Sequence, residues 1–371
     1  NLIELKNGWC SFFDIKSIDI DPSNPRYKKY GENFIIGKSN VSSEIYDELV
    51  YCSRDIEKVT IPDSIKIIKG YAFQFCNQLV EVEISPNSNL QIIEDSAFEF
   101  VPIQKFTILP HLTEIGPSAF ADSKIQTIEI PPNSKLHTIG NNAFKNTSIE
   151  RFTIPPHLTI LSAGIFYGCK NLKTIDVPSD SELQIIKNGA FYDSPLESLT
   201  IPSNFVKFYE EWGNGANQLN NIKIDDKNPL FLVYENKLII GKSSIESKTY
   251  DEIVFCYKNN TEVTIPNSIK TILPYSFYRC KKLQKINFQN NSMLQTIGKF
   301  AFYESSITSI TIPSSTTRIC CSAFSDCRKL ESCVIPSNSE LRIIEEYAFA
   351  YTHLINFTIP LHLTEISKSV L

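Results

Sequence analysis

The feature that most constrains this chain is a unit of 22 to 25 residues that recurs almost from end to end. It reads L/I-x-x-I-x-I-P, a variable turn, L-x-x-I, then A-F and a short link to the next L/I, as in 125–131, 149–155 and 196–202 for its first part. The ring positions are Phe73, Phe98, Phe120, Phe144, Phe166 and Phe191, then Phe277, Phe302, Phe324 and Phe349. Their spacings are 25, 22, 24, 22 and 25 in the first set and 25, 22 and 25 in the second, so two unit types alternate. The long type carries a serine-rich turn before L-x-I-I, as in 181–186; the short type carries Pro-His-Leu-Thr at Pro110, Pro156 and, with Leu361 inserted, Pro360. From the unit starts at Ile15 and Ile56 to those at Leu330 and Leu354, with a degenerate unit near Val263, there are about fourteen units. Repeats of 20–29 residues point to a solenoid.

Each unit explains its own fold. In I-x-I the side chains alternate, so the isoleucines face inward and the middle residue outward. The following proline has no N–H and ends the strand. Asn, Ser and Pro then supply the turn, and the A-F ring with the L-x-x-I pair fills the far side of the coil. So short a strand is not stable alone; stacking pairs the strands in parallel and merges the small cores into one. One short strand per unit is expected, with irregular or helical turns on the convex side.

A larger duplication overlies the repeat. Ile35-Ile36-Gly37-Lys38-Ser39, Tyr46-Asp47-Glu48, Val59-Thr60-Ile61-Pro62, Cys52 and Cys76 all recur at an offset of 204 residues, the cysteines as Cys256 and Cys280. Two arrays, 1–224 and 225–371, are therefore expected within one continuous solenoid. Each holds an insert, near 21–55 and 225–259, read as a β-hairpin arm projecting from the coil. Residues 1–14 align with 205–218, and the last residues stop where the next A-F is due, so the chain reads as a segment of a longer repeat protein.

The pattern I-P-x-x-L-x-x-I-G-x-x-A-F-x-x-C/S-x-x-L, with Asp21-Pro22-Ser23-Asn24-Pro25 in the insert, resembles the BspA-like leucine-rich repeats of bacterial and protist surfaces. The second insert departs from it with Asp225-Asp226-Lys227-Asn228-Pro229, and Glu211-Trp212-Gly213 stands where A-F is due. The resemblance implies a curved parallel-sheet solenoid and a role in adhesion, as a surface antigen, or in protein binding.

Chemistry beyond recognition finds little support. A net charge of -5 argues against a nucleic-acid partner, and no apolar run reaches the length of a membrane span. Cys76, Cys169, Cys280 and Cys327 each follow the ring Phe by three residues, which reads as a buried thiol in the turn, too distant from its equivalents to bridge. Cys333 replaces a strand isoleucine, and Cys320-Cys321 fits no repeat position. His111, His157 and His362 share one repeat position, so they decorate a unit. No metal, cofactor or catalytic residue is expected, because none of the motifs that hold them is present. Sequons stand at Asn40, Asn146, Asn259, Asn290 and Asn356, acceptors of glycan if a eukaryote secretes the chain.

The outward strand residues form the candidate site. Thr alternates with acidic or polar residues along the array, and the run Lys105, Thr107, Thr127, Glu129, Arg151, Thr153, Thr174 and Asp176 gives a strip of mixed sign on the concave sheet. Thr also suits any solvated strand, but extended concave surfaces are what solenoids use for binding. A second candidate is the arms, with the aromatic Tyr27, Tyr30, Phe34 and Tyr46, although packing of the arm on the coil is the expected role of any one ring. The expected function is a non-enzymatic adhesion or recognition ectodomain, at the cell surface or extracellular, binding a host-cell or matrix protein. The alternative is an intracellular protein-interaction scaffold.

Overall fold

The computed structural model describes residues 4–9 and 18–371; the unit start at Ile15 lies outside them. The chain packs as two compact units, Asn1–Leu196 and Glu197–Leu371. Both are built from the same coil, and the described residues make about fourteen turns of a parallel β-solenoid without a helix.

Each coil has three walls. The first is the I-x-I strand: Lys58–Ile61, Glu81–Ile84, Lys105–Thr107, Thr127–Glu129, Arg151–Thr153 and Thr174–Asp176 in the first unit. Its burial alternates as the sequence predicts: Phe106, Ile128 and Phe152 are buried between exposed neighbours.

The second wall is a strand of two residues, an addition to the single strand expected. In the first unit these are Ile67–Ile68, Ile92–Ile93, Glu114–Ile115, Thr138–Ile139, Ile160–Leu161 and Ile185–Ile186. They pair in parallel from coil to coil, Ile68 beside Ile93 and Ile93 beside Ile115.

The third wall carries the A-F rings on hydrogen-bonded turns. Phe73 N donates to Ala97 O at 2.8 Å, Phe98 N to Ala119 O at 2.7 Å and Phe120 N to Ala143 O at 2.8 Å. Alternate residues bond within the coil instead, as Gln74 N to Tyr71 O at 3.1 Å. Two residues four apart bracket each ring with positive φ: Tyr71 and Phe75, Ser96 and Phe100, Ser118 and Asp122, Asn142 and Asn146. A helix cannot hold left-handed residues at that interval, so the wall is a ladder of turns. The rings stack down the core, Phe73 on Phe98 at 4.7 Å and Phe98 on Phe120 at 5.2 Å, with planes 7° and 2° apart.

The inserts replace part of a coil with a three-stranded antiparallel ribbon. Tyr27–Tyr30, Phe34–Gly37 and Glu48–Cys52 pair in that order, and Glu48–Cys52 then runs parallel to Ile67–Ile68. Phe231–Tyr234, Leu238–Gly241 and Glu252–Cys256 repeat this in the second unit, including the register shift between Ile239 and Ile240 that matches Ile35 and Ile36. The ribbon thus begins the short-strand sheet, where the sequence pointed to a projecting arm. Its middle strand, Phe34–Gly37, is buried at every residue, because each side of it pairs and both faces are covered.

The Glu211-Trp212-Gly213 coil keeps the core plan with another ring. Trp212 is buried, 4.5 Å from Phe208 and 5.1 Å from Phe255.

Candidate binding face on the long strands

The outward residues of the long strands are ordered by pairing. Thr127 lies beside Lys105 and Glu129 beside Thr107; Thr174 lies beside Arg151 and Asp176 beside Thr153. All eight candidate residues therefore share the outward face of two hydrogen-bonded strand pairs. Lys58–Ile61 with Glu81–Ile84 makes an equivalent pair.

Within each pair the base of one strand reaches the acid of the next. Lys105 Nζ lies 2.7 Å from Glu129 Oε1, and Thr107 Oγ1 donates to Glu129 Oε2 at 3.0 Å. The bonds from Lys105 and then Thr107 hold the Glu129 carboxyl below its ordinary range. Arg151 grips Asp176 through two bonds, with Nη2 donating to Oδ1 at 2.6 Å, and this raises the guanidinium above its ordinary value. A related pairing, with two acids in register, opens the array: Lys58 Nζ is 2.6 Å from Glu81 Oε2, and Thr60 Oγ1 donates to Glu83 Oε2 at 2.9 Å. Thr127, Thr153 and Thr174 stand between these pairs.

These bases remain in water. The Lys105 and Arg151 side chains are 59% and 69% exposed despite their partners. Exposed ion pairs are screened by water and contribute little, so an incoming surface can exchange them at little cost.

The second unit carries a feature that strand periodicity missed. Lys285–Phe288 and Ser309–Thr311 pair at Lys285 and Ser309 alone, and a groove of about 510 Å³ opens there, lined by Asn287, Gln289, Thr311 and Asn338 among others. The lining is rich in amides and hydroxyls. Its cation, Lys285, lies 3.0 Å from Glu262. The signal was the long polar run after Phe288, but only the structure shows the strands parting.

Of the aromatic residues on the insert, most pack and one is open. Tyr27 and Phe34 are buried, Tyr27 accepting a bond from Leu5 N at 2.9 Å. Tyr46 is half-buried beneath Lys28 Nζ, 4.0 Å above its ring, and Tyr30 alone of the four is exposed. Tyr27 packs on Ile35, Val50 and Tyr51, while Phe34 meets the coil ring Phe73 edge-on at 6.3 Å. All five sequon asparagines are exposed. Asn146 Nδ2 donates to Asp122 Oδ1 at 2.9 Å.

Among the described residues, no grouping of three or more His, Cys, Asp or Glu side chains could hold a metal ion, and no helix is long and apolar enough to cross a membrane.

The three-walled coil has close parallels. A leucine-rich cell surface protein of Faecalibacterium prausnitzii superposes with a TM-score of 0.60 at 20% identity, covering 91% of this chain and 95% of its own. The pneumococcal vaccine antigen PcpA superposes with a TM-score of 0.62 at 18% identity, covering 91% and 92%. A leucine-rich repeat protein of Bacteroides ovatus gives 0.50 at 17% identity, covering 92% and 85%. At these identities the likeness is one of fold. A comparison with curated protein sequences finds no match. The sequence profile of the BspA type leucine rich repeat region matches residues 43–172, 137–236 and 248–371, nearly the whole chain. The chain belongs to the BspA-type leucine-rich repeat family.

Proposed function

We propose that this chain is a non-catalytic recognition module of a cell-surface or extracellular protein, and that its long-strand face binds a host-cell or matrix protein. The observation that carries the reading is the array of exposed Lys/Thr and Glu or Arg and Asp pairs, repeated on successive strand pairs and held by bonds that water already weakens. A mixed-sign, polar strip favours a protein surface over a polyanion, and its charges should act mostly on association rate and salt dependence. The fold likeness to a leucine-rich cell surface protein and to a vaccine antigen supports the surface setting.

The test is the double variant Lys105→Glu, Arg151→Glu, assayed on immobilised laminin, fibronectin and collagen and on an epithelial monolayer. Folding is checked in parallel by circular dichroism. A folded variant with slower association and weaker salt dependence supports the strip as the contact. A folded variant that adheres like the parent removes it.

A further inference from the structure

Two cysteine pairs stand apart from the other thiols. Cys52, the last residue of the insert ribbon, meets Cys76, which follows the ring Phe73 by three residues. Both thiols lie against the carbonyl of Ser53, at 3.5 and 3.6 Å, near enough that each shifts the other's titration. The 204-residue duplication repeats the pairing: Cys256 contacts the Tyr257 carbonyl at 3.5 Å and lies near enough to Cys280 that each thiol shifts the other's titration. In both copies backbone brings the segments together, Cys52 N donating to Ala72 O and Cys256 N to Ser276 O, each at 2.9 Å.

A buried cation accompanies each pair, two residues after the first cysteine. Arg54 Nη1 lies 3.7 Å from Cys76 Sγ, and its Nη2 is buried without a hydrogen-bond partner. Lys258 is buried in the second copy, its Nζ donating to Tyr278 O at 2.6 Å. A buried cation needs compensating negative charge, which a thiolate beside it supplies.

Cys169 and Cys327 occupy the same repeat position as Cys76 and Cys280 but face hydroxyls instead, Thr147 and Ser305, each at 3.3 Å. Burial pushes those two thiols up to about 11 and about 12. Cys280 is equally buried, yet the neighbouring Cys256 thiol and the charge of Lys258 outweigh that burial and bring it to about 7. Cys76 is lowered by the neighbouring Cys52 thiol, against its burial, with help from Arg54.

We propose that Cys52–Cys76 and Cys256–Cys280 are two redox-active dithiol sites, each closing to a disulfide that staples its insert ribbon to the neighbouring turn wall. The oxidant is a low-molecular-weight disulfide such as glutathione disulfide. The Cys76 thiolate attacks one sulfur of that disulfide, forming a mixed disulfide and releasing one glutathione thiolate, which takes the proton lost from Cys76. Cys52 then loses its proton and attacks the Cys76 sulfur of the mixed disulfide. The Cys52–Cys76 bond forms, and the second glutathione leaves as its thiol. Two protein thiols are oxidised and one glutathione disulfide is reduced to two thiols. Cys280 and Cys256 take the same parts in the second copy. Because all four sulfurs are buried, exchange in the folded chain waits on local opening of the ribbon, whereas during folding it is unimpeded.

The experiment refolds the reduced wild-type chain in buffers of rising glutathione disulfide, blocks remaining thiols with N-ethylmaleimide and maps peptides by mass spectrometry. Two cross-linked peptides are expected, Cys52 with Cys76 and Cys256 with Cys280, while Cys169 and Cys327 are recovered blocked once denatured. Arg54→Met should slow closure of the first pair several-fold and leave the second as an internal control. If that variant does not fold, Lys258→Met gives the converse reading. Recovery of all four cysteines as thiols at every ratio, as separate glutathione adducts, or bridged to other cysteines would overturn the proposal. Closure at the parent rate in both cation variants would overturn the part assigned to Arg54 and Lys258.

Discussion

The rings of Phe98 and Phe120 lie 5.2 Å apart with planes 2° from parallel, although 22 residues of chain separate them. Phe120 also meets Phe106 edge-on at 5.0 Å and stacks on Phe144 at 5.7 Å. One ring thus ties three coils, and it is fully buried. Phe120→Ala should cost about 3–5 kcal/mol. In a solenoid the damage stays near its source, so hydrogen exchange should show protection falling first in the coils of Phe98 and Phe144. Loss spread evenly over both units would contradict this.

The turn wall makes a separate prediction. Ser118 holds a φ of +53° while its N donates to Asn141 O at 2.9 Å. A β-branched side chain resists the left-handed region, so Ser118→Val should destabilise by about 1–2 kcal/mol. Ser118→Asn should be close to neutral, since Asn visits that region readily. Equal midpoints for the two variants in urea would argue against the left-handed position.

Asp47 gives the pH prediction. It accepts from Ser39 N at 2.9 Å and from Ser39 Oγ at 2.8 Å, closing the loop of the first ribbon. Burial works to raise this carboxyl, but the Ser39 bonds and Lys66 outweigh it and hold it below its ordinary value. The folded carboxyl therefore binds its proton less readily than the unfolded one. Its contribution is present above about pH 3.9 and is lost as pH falls through the folded value. Asp47→Asn should remove it, costing about 1–3 kcal/mol at neutral pH. It should also flatten the acid limb of stability against pH, read by urea midpoints from neutral pH down to acid. An unchanged acid limb would show that the clamp contributes nothing.

The long strands and core rings were legible because alternation and a fixed interval are periodic signals. The second strand was not, since two residues such as Ile92 and Ile93 are too few to alternate. The turn wall was hidden by composition: positive φ falls on Tyr71 and Phe75, residues that do not advertise it. Tyr27 and Phe34 were candidates for exposed rings on the arms, but Tyr27 packs on Ile35, Val50 and Tyr51 within the ribbon and Phe34 meets Phe73 edge-on, contacts that no periodicity reveals. At the site, the mixed sign of the strip was readable, but not which charges meet. Lys105 stands beside Thr127 in register yet reaches diagonally to Glu129. Cys52 and Cys76 shared the 204-residue offset with their counterparts, but their contact depends on how the ribbon docks.

The most direct test of recognition by the long-strand face exchanges its charges without deleting its ion pairs. Lys105→Glu with Glu129→Lys, combined with Arg151→Glu with Asp176→Arg, keeps net charge and pairing while reversing the polarity along the strip. An unfolding midpoint like that of the parent is expected, together with a loss of adhesion to the host-cell or matrix protein proposed as its partner. Parental adhesion by this folded variant would contradict it.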